Sequence, residues 1–215
     1  MRLLLCIIAV LFLSSCFEIV EDIRFQPNYS GSYKVTINMS ASKVQIASYM
    51  KLDSVFGTRV PKKAEVEKEI VRKEALLKAH KGLKNVSITR DYKSFIFTVK
   101  FDFNNLTSFR EAYTIICSDT KTTNAFFPFS QKDNSFTRQD KLQPLAKNMT
   151  AKKKDFSALF KQSKYTSIIH FPKEISSCSN KNCKLSKDKK NMFVSSTLEN
   201  LVDHPDYLNT QIIFK

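Results

Sequence analysis

The sequence has no tryptophan, and only three glycines and three histidines in 215 residues. A phosphate-cradling loop needs several glycines close together, so that backbone N–H groups converge on an anion. Three scattered glycines build none. Zinc needs further Cys or His ligands at short spacing. His170 falls in an expected strand and His204 in an expected turn. Neither completes such a set, so no metal and no cofactor is expected. The nucleophile-elbow pattern Gly-x-Ser-x-Gly is also absent. Acidic residues are scarce, 20 against 35 Lys and Arg, for a net charge of +15. No apolar run reaches the roughly 18 residues of a membrane-spanning helix. The chain is nonetheless long enough to bury about 70% of its unfolded surface without a disulfide scaffold. With 42% apolar residues and 18 phenylalanines it has the material for a core.

The longest apolar run is at the start. Met1-Arg2 is followed by eleven apolar residues, Leu3 to Leu13, and then by Ser14, Ser15 and Cys16. This is the order and size of a secretory signal: a positive start, a short apolar core and a small-residue cleavage site. Leu13-Ser14-Ser15-Cys16 resembles a bacterial lipobox. The resemblance implies that Cys16 carries a diacylglycerol thioether, that residues 1–15 are removed, and that the new amine is acylated. Two or three acyl chains anchor stably where one does not. Residues 16–215 would then form one envelope domain tethered to a membrane. Phe17 stands where an inner-membrane retention Asp would be. The expected location is therefore the outer membrane, facing the periplasm.

Beyond Cys16, periodicity sets the elements. Residues 18–25 alternate, with Ile19, Ile23 and Phe25 on one side and Glu21 breaking the pattern on that same side. After the turn at 27–32, Tyr33, Val35, Ile37 and Met39 alternate again, which completes a hairpin. A helix is expected from Ser40 to about Ser54, with Ile46, Ala47 and Met50 inward. Pro61 opens a second helix, with Val66, Ile70 and Leu77 as its buried stripe and Gly82 at its C-terminal cap. A short strand at 86–89 precedes the clearest one in the chain. There Phe95, Phe97, Val99, Phe101 and Phe103 share one face. Burying five such residues contributes about 10 kcal/mol of gross hydrophobic energy. Asn105 caps a third helix carrying Phe109, Ala112, Tyr113 and Ile116. Residues 119–150 read as loop with one or two short strands. A short helix at 155–162, strands at 165–175, 191–198 and 210–214, and a turn at 203–206 complete the chain. The fold class expected is α+β: a mainly antiparallel sheet with helices packed on one face, in a single domain.

The C-terminal third has a distinctive order. The strand Tyr165 to His170 ends in Phe171-Pro172. Ile175, Ser179-Asn180 and Leu185-Ser186-Lys187-Asp188-Lys189-Lys190 follow. With the lipobox and the early hairpin, this resembles the LppM-like family of bacterial lipoproteins. Asp188-Lys189 replaces the family's usual turn glycine, and the C-terminal membrane helix of some members is missing. The resemblance implies a membrane-tethered α+β domain, sometimes compared with lipid-binding folds. It implies no reaction and no catalytic residues.

Cys117 follows the inner face of its helix and reads as a buried structural thiol. Cys178 and Cys183 flank a short turn. An extracytoplasmic compartment permits a disulfide there, and two free thiols are the alternative. Cys117 with His170 is the one nucleophile pair that can be named, but a strand histidine is more often a packed or surface residue, and a buried structural thiol is the plainer reading of Cys117. The basic charge gathers at Lys152, Lys153 and Lys154, and again at Lys187, Lys189 and Lys190. A solvated surface accounts for such clusters, and so does contact with an anionic lipid or envelope polymer. Nucleic acid is not expected as a partner, because the export signal separates the chain from it. Three functions remain: a noncatalytic module binding lipid or another anionic component, an assembly lipoprotein binding an envelope protein, and an enzyme. An apolar pocket beneath the Phe stripe would favour the first. A closed core with an exposed apolar patch would favour the second. Converging polar groups in a cleft would favour the third.

Overall fold

A computed structural model describes residues 17–55, 57–117, 129–139 and 157–215. Cys16 and Lys152, Lys153 and Lys154 lie outside these residues. β1 (Glu18–Phe25) and β2 (Gly31–Asn38) form the expected hairpin. A short 3-10 turn leads into α1 (Lys43–Tyr49). The small hairpin β3 (Ser54–Val55) and β4 (Thr58–Arg59) follows, then the long helix α2 (Lys63–Ala79). β5 (Leu83–Asp91), β6 (Ile96–Phe103) and α3 (Leu106–Cys117) continue the chain. Next come β7 (Phe129–Lys132), β8 (Ser135–Arg138), α4 (Ser157–Gln162), β9 (Lys164–His170) and β10 (Ile175–Cys178). β11 (Lys184–Leu185), β12 (Asn191–Thr197), α5 (Leu198–Asp203) and β13 (Thr210–Phe214) end it.

The fold is α+β and mostly antiparallel. The larger sheet has seven strands in the order β11-β12-β9-β1-β2-β6-β5. The second has four, β10-β13-β8-β7. One pairing departs from the antiparallel expectation: β1 runs parallel to β9. Both are half-apolar alternating strands, and periodicity carries no information about which distant strand lies beside which.

Register explains the core. Ile23 pairs with Tyr33 and with Ile169, and Tyr33 pairs with Phe101. All four are buried in one row. The next row towards the β1 C-terminus holds Phe25, Gly31, Phe103 and Leu83. A Cβ on Gly31 would sit 1.8 Å from the carbonyl oxygen of Arg24, so the close approach requires glycine. α3 lays Phe109 and Tyr113 over these rows, and Phe129 and Phe136 of the second sheet close the remainder. Asn105 Oδ1 accepts the Ser108 N–H at 2.9 Å, the expected cap of α3. The opposite face of the larger sheet carries Lys34, Thr36, Thr98 and Lys100. Among the described residues the helices and the second sheet therefore cover the other side.

Four sequence expectations need correction. The 165–175 strand breaks at Phe171-Pro172, where Pro lacks a ladder N–H, and its second part joins the other sheet. The helix expected from Ser40 to about Ser54 is cut to Lys43–Tyr49, with a 3-10 turn before it and β3 already beginning at Ser54. Gly82 is not a left-handed cap; α2 ends with an extended His80. A Cβ on Gly82 would lie 2.0 Å from Ser108 Oγ, so glycine lets α3 approach the loop. Cys117 is exposed rather than buried.

Candidate functional site

The Phe stripe of β6 does not fill a single core. Phe101 and Phe103 are sealed at 0% and 2% exposure. Phe97 and Val99 instead line a half-open pocket of about 590 Å³ with Ile37, Met39 and Ile88 of the neighbouring strands. Phe95 also lines it, from the turn before β6, at φ 55°. α1 contributes Ile46 and Tyr49, with Met50 just after it, the small hairpin contributes Val55, and α2 contributes Val66, Ile70 and Leu77. These are the apolar stripes the sequence marks as inward-facing. They meet around a gap instead of interdigitating. The volume lies inside the roughly 300–1,000 Å³ of small-molecule sites.

Three of the polar side chains around the pocket are engaged elsewhere. Tyr92 donates to Glu67 Oε2 at 2.7 Å, and burial with that carboxylate pushes its phenol up to about 12. Lys73 Nζ donates to the Ile116 carbonyl at 2.7 Å. Arg59 pairs with Glu65 at 2.6 Å. The pocket wall is thus hydrocarbon and aromatic ring, suited to an apolar chain. A second groove shares Arg59, Pro61, Val66, Ile70 and Lys73 with it and adds Glu65, Lys68, Glu69, Arg72 and Cys117. That groove is charged with both signs.

Glu21, the residue that breaks the first strand pattern, has a different role. It is 2% exposed and meets Arg138 of β8, also 2% exposed, at 2.8 Å. Its Oε2 also accepts from Tyr165 at 2.8 Å and Ser167 at 3.0 Å, and its Oε1 accepts from Tyr33 at 3.3 Å. The Arg138 guanidinium lies 5.2 Å over the Phe129 ring. Burial holds the Tyr33 and Tyr113 phenols well above their usual range, and the Glu21 charge adds to it. These groups satisfy one another between the two sheets. The arrangement is a polar tie through the core.

Cys178 and Cys183 come together as thiols in hydrogen-bond contact. That bond from Cys183 lowers Cys178 to about 7 and raises Cys183. Cys117 and His170 do not meet. His170 projects from the outer face of the larger sheet, with Asn191 Oδ1 at 2.6 Å and Asp22 at 3.4 Å. Cys117 lies in the charged groove on the covered side. Lys187, Lys189 and Lys190 occupy the turn between β11 and β12. That turn is at the end of the sheet away from Phe17, because Asn191 pairs with His170 while Thr197 pairs with Lys164. Among the described residues no three His, Cys, Asp or Glu side chains gather as a metal site. No helix among them is long and apolar enough to cross a membrane.

No protein-family model and no curated protein matches the sequence. Among solved structures, the NMR structure of the folded domain of the Mycobacterium tuberculosis LppM protein is similar at 8% identity and a TM-score of 0.46. The match covers 93% of this chain and 90% of that one.

Proposed function

We propose that this chain is a bacterial envelope lipoprotein, anchored through Cys16, whose domain holds the acyl chain of a lipid. The observation that carries the reading is the 590 Å³ pocket walled by Ile37, Phe97, Val99, Ile70 and their neighbours. An apolar ligand there would remove hydrocarbon from water at about 25 cal/mol per Å². Its polar head would sit at the charged groove that shares the pocket's rim. The engaged state of Tyr92, Lys73 and Arg59 favours a binding role over catalysis. The lipobox-like Leu13 to Cys16 supports the anchor, and Phe17 in place of an Asp supports the outer membrane.

The test is native mass spectrometry of residues 17–215 purified from a bacterial host. A lipid-sized mass that is lost on denaturation is the expected result. A bare chain, unchanged after incubation with fatty acid or phospholipid, would overturn the reading. Crosslinking for an envelope protein would then be the next step.

A further inference from the structure

The pocket lies at one particular end of the sheet, and that end is where the chain leaves towards Cys16. The Phe17 carbonyl accepts the Lys164 N–H at 3.0 Å, and Glu18 pairs with Asn38 and Lys164. Asn38 pairs with Ile96, and the Met39 N–H donates to the Phe95 carbonyl at 3.0 Å. Met39 and Phe95, both pocket residues, thus share the terminal row of the sheet with Phe17. Strands are spaced about 4.8 Å apart, so β6 lies about 10 Å from β1. Cys16 follows within one peptide unit of Phe17, about 3.8 Å between Cα atoms. The opposite end of β1, by contrast, is about 20 Å further along the strands.

α1 covers the pocket at this same end, and it is loosely held. None of its residues is buried, and it has no side-chain cap. Its side-chain hydrogen bonds stay within the helix, Gln45 to Tyr49 and Ser48 to the Val44 carbonyl. Ile46, Tyr49 and Met50 face the pocket. The outer side presents Val44 at 75% exposure, and the turn after the helix presents Leu52 at 48%. Each apolar side chain has a lysine immediately before it, Lys43 and Lys51.

We infer that α1 and the turn through Leu52 form a membrane-contacting lid, seated on the anionic bilayer that holds the Cys16 lipid. Val44 and Leu52 enter the acyl boundary while Lys43 and Lys51 meet lipid phosphates, the division of labour of an interfacial amphipathic segment. The pocket then loads from the bilayer directly beneath it. This rests on the anchored, lipid-holding reading above and adds the direction from which the ligand arrives. It also assigns the lysines at 187–190 to the side facing away from that bilayer.

The experiment uses the full chain in vesicles of phosphatidylcholine with or without phosphatidylglycerol. Amide hydrogen exchange across 43–52 is one readout. The rate at which a fluorescent phospholipid passes from vesicle to protein is the other. Expected are slowed exchange in this segment on phosphatidylglycerol vesicles, and transfer slowed about fivefold for each lysine changed in Lys43→Gln and Lys51→Gln. Val44→Asp and Leu52→Asp should abolish the protection. Val71→Asp, at a site on α2 about as exposed as Leu52 (51% against 48%), should leave both readouts unchanged. Each variant should still bind monomeric fatty acid added from solution. Unchanged exchange at 43–52, or transfer indifferent to Val44 and Leu52, would overturn the lid. Loss of binding to monomeric fatty acid in the unmodified chain would instead overturn the pocket reading, and the loading role with it.

Discussion

The polar tie between Glu21 and Arg138 gives the sharpest stability prediction. Arg138→Met keeps an unbranched apolar stem and removes the guanidinium with its charge. Glu21 is then left 2% exposed with no cation, keeping its bonds from Tyr165, Ser167 and Tyr33. Breaking one half of a buried pair costs about 3–5 kcal/mol. The three remaining hydroxyl donors place this case at the lower end, about 3 kcal/mol. With a urea slope of about 1–3 kcal/mol/M, the midpoint should fall by roughly 1–3 M. The double variant Glu21→Met, Arg138→Met removes both charges together but takes the acceptor from the Tyr165, Ser167 and Tyr33 hydroxyls, so it should recover part of that loss and not all of it. Urea unfolding followed by tyrosine fluorescence and far-UV circular dichroism measures all three proteins. A single-variant loss under about 1 kcal/mol would mean that water reaches Glu21, refuting the sealed interface between the sheets. A double variant as unstable as the single one would mean that the pair itself, and not the orphaned charge, provides the stability.

Three further outcomes are expected. Val99→Trp should fill the pocket from its floor and eliminate copurifying lipid in native mass spectra, while the unfolding midpoint shifts far less than in Arg138→Met; retained lipid would place the ligand elsewhere. Cys16→Ser should abolish incorporation of labelled palmitate and release the chain from membranes, read by fluorography and fractionation; persistent labelling would remove the lipobox assignment. Cys178, lowered to about 7 by its bond from Cys183, becomes the thiolate as pH rises through that value. Its iodoacetamide alkylation should therefore reach half its plateau rate near pH 7, Cys183 should react only at much higher pH, and a mild disulfide donor should join the two. A midpoint near the ordinary thiol value for Cys178, followed by peptide mapping, would show that the two sulfurs do not interact.

The sequence was legible where the interactions are local. Alternation in 18–25, 33–39 and 95–103 specified strands, and the apolar stripe of α3 with its Asn105 cap specified a helix. Both follow from the periods of side-chain direction in a strand and a helix. The inward residues Ile46 and Met50, Val66, Ile70 and Leu77, and Phe97 to Phe103 were also marked, whereas Ala47, expected inward, is exposed. Whether those faces fill the space between them or leave a pocket depends on where three separate elements settle, and no period encodes that distance. Glu21 shows the same limit from the other side. Its position on an apolar face was visible as an irregularity, but its partner is 117 residues away, and only the packing of the second sheet on the first brings Arg138 to it. The parallel partner of β1, the division of the Phe stripe between core and pocket, and the placement of the pocket beside Phe17 are likewise tertiary. They are set by contacts between distant segments, which burial energy rewards without regard to sequence order.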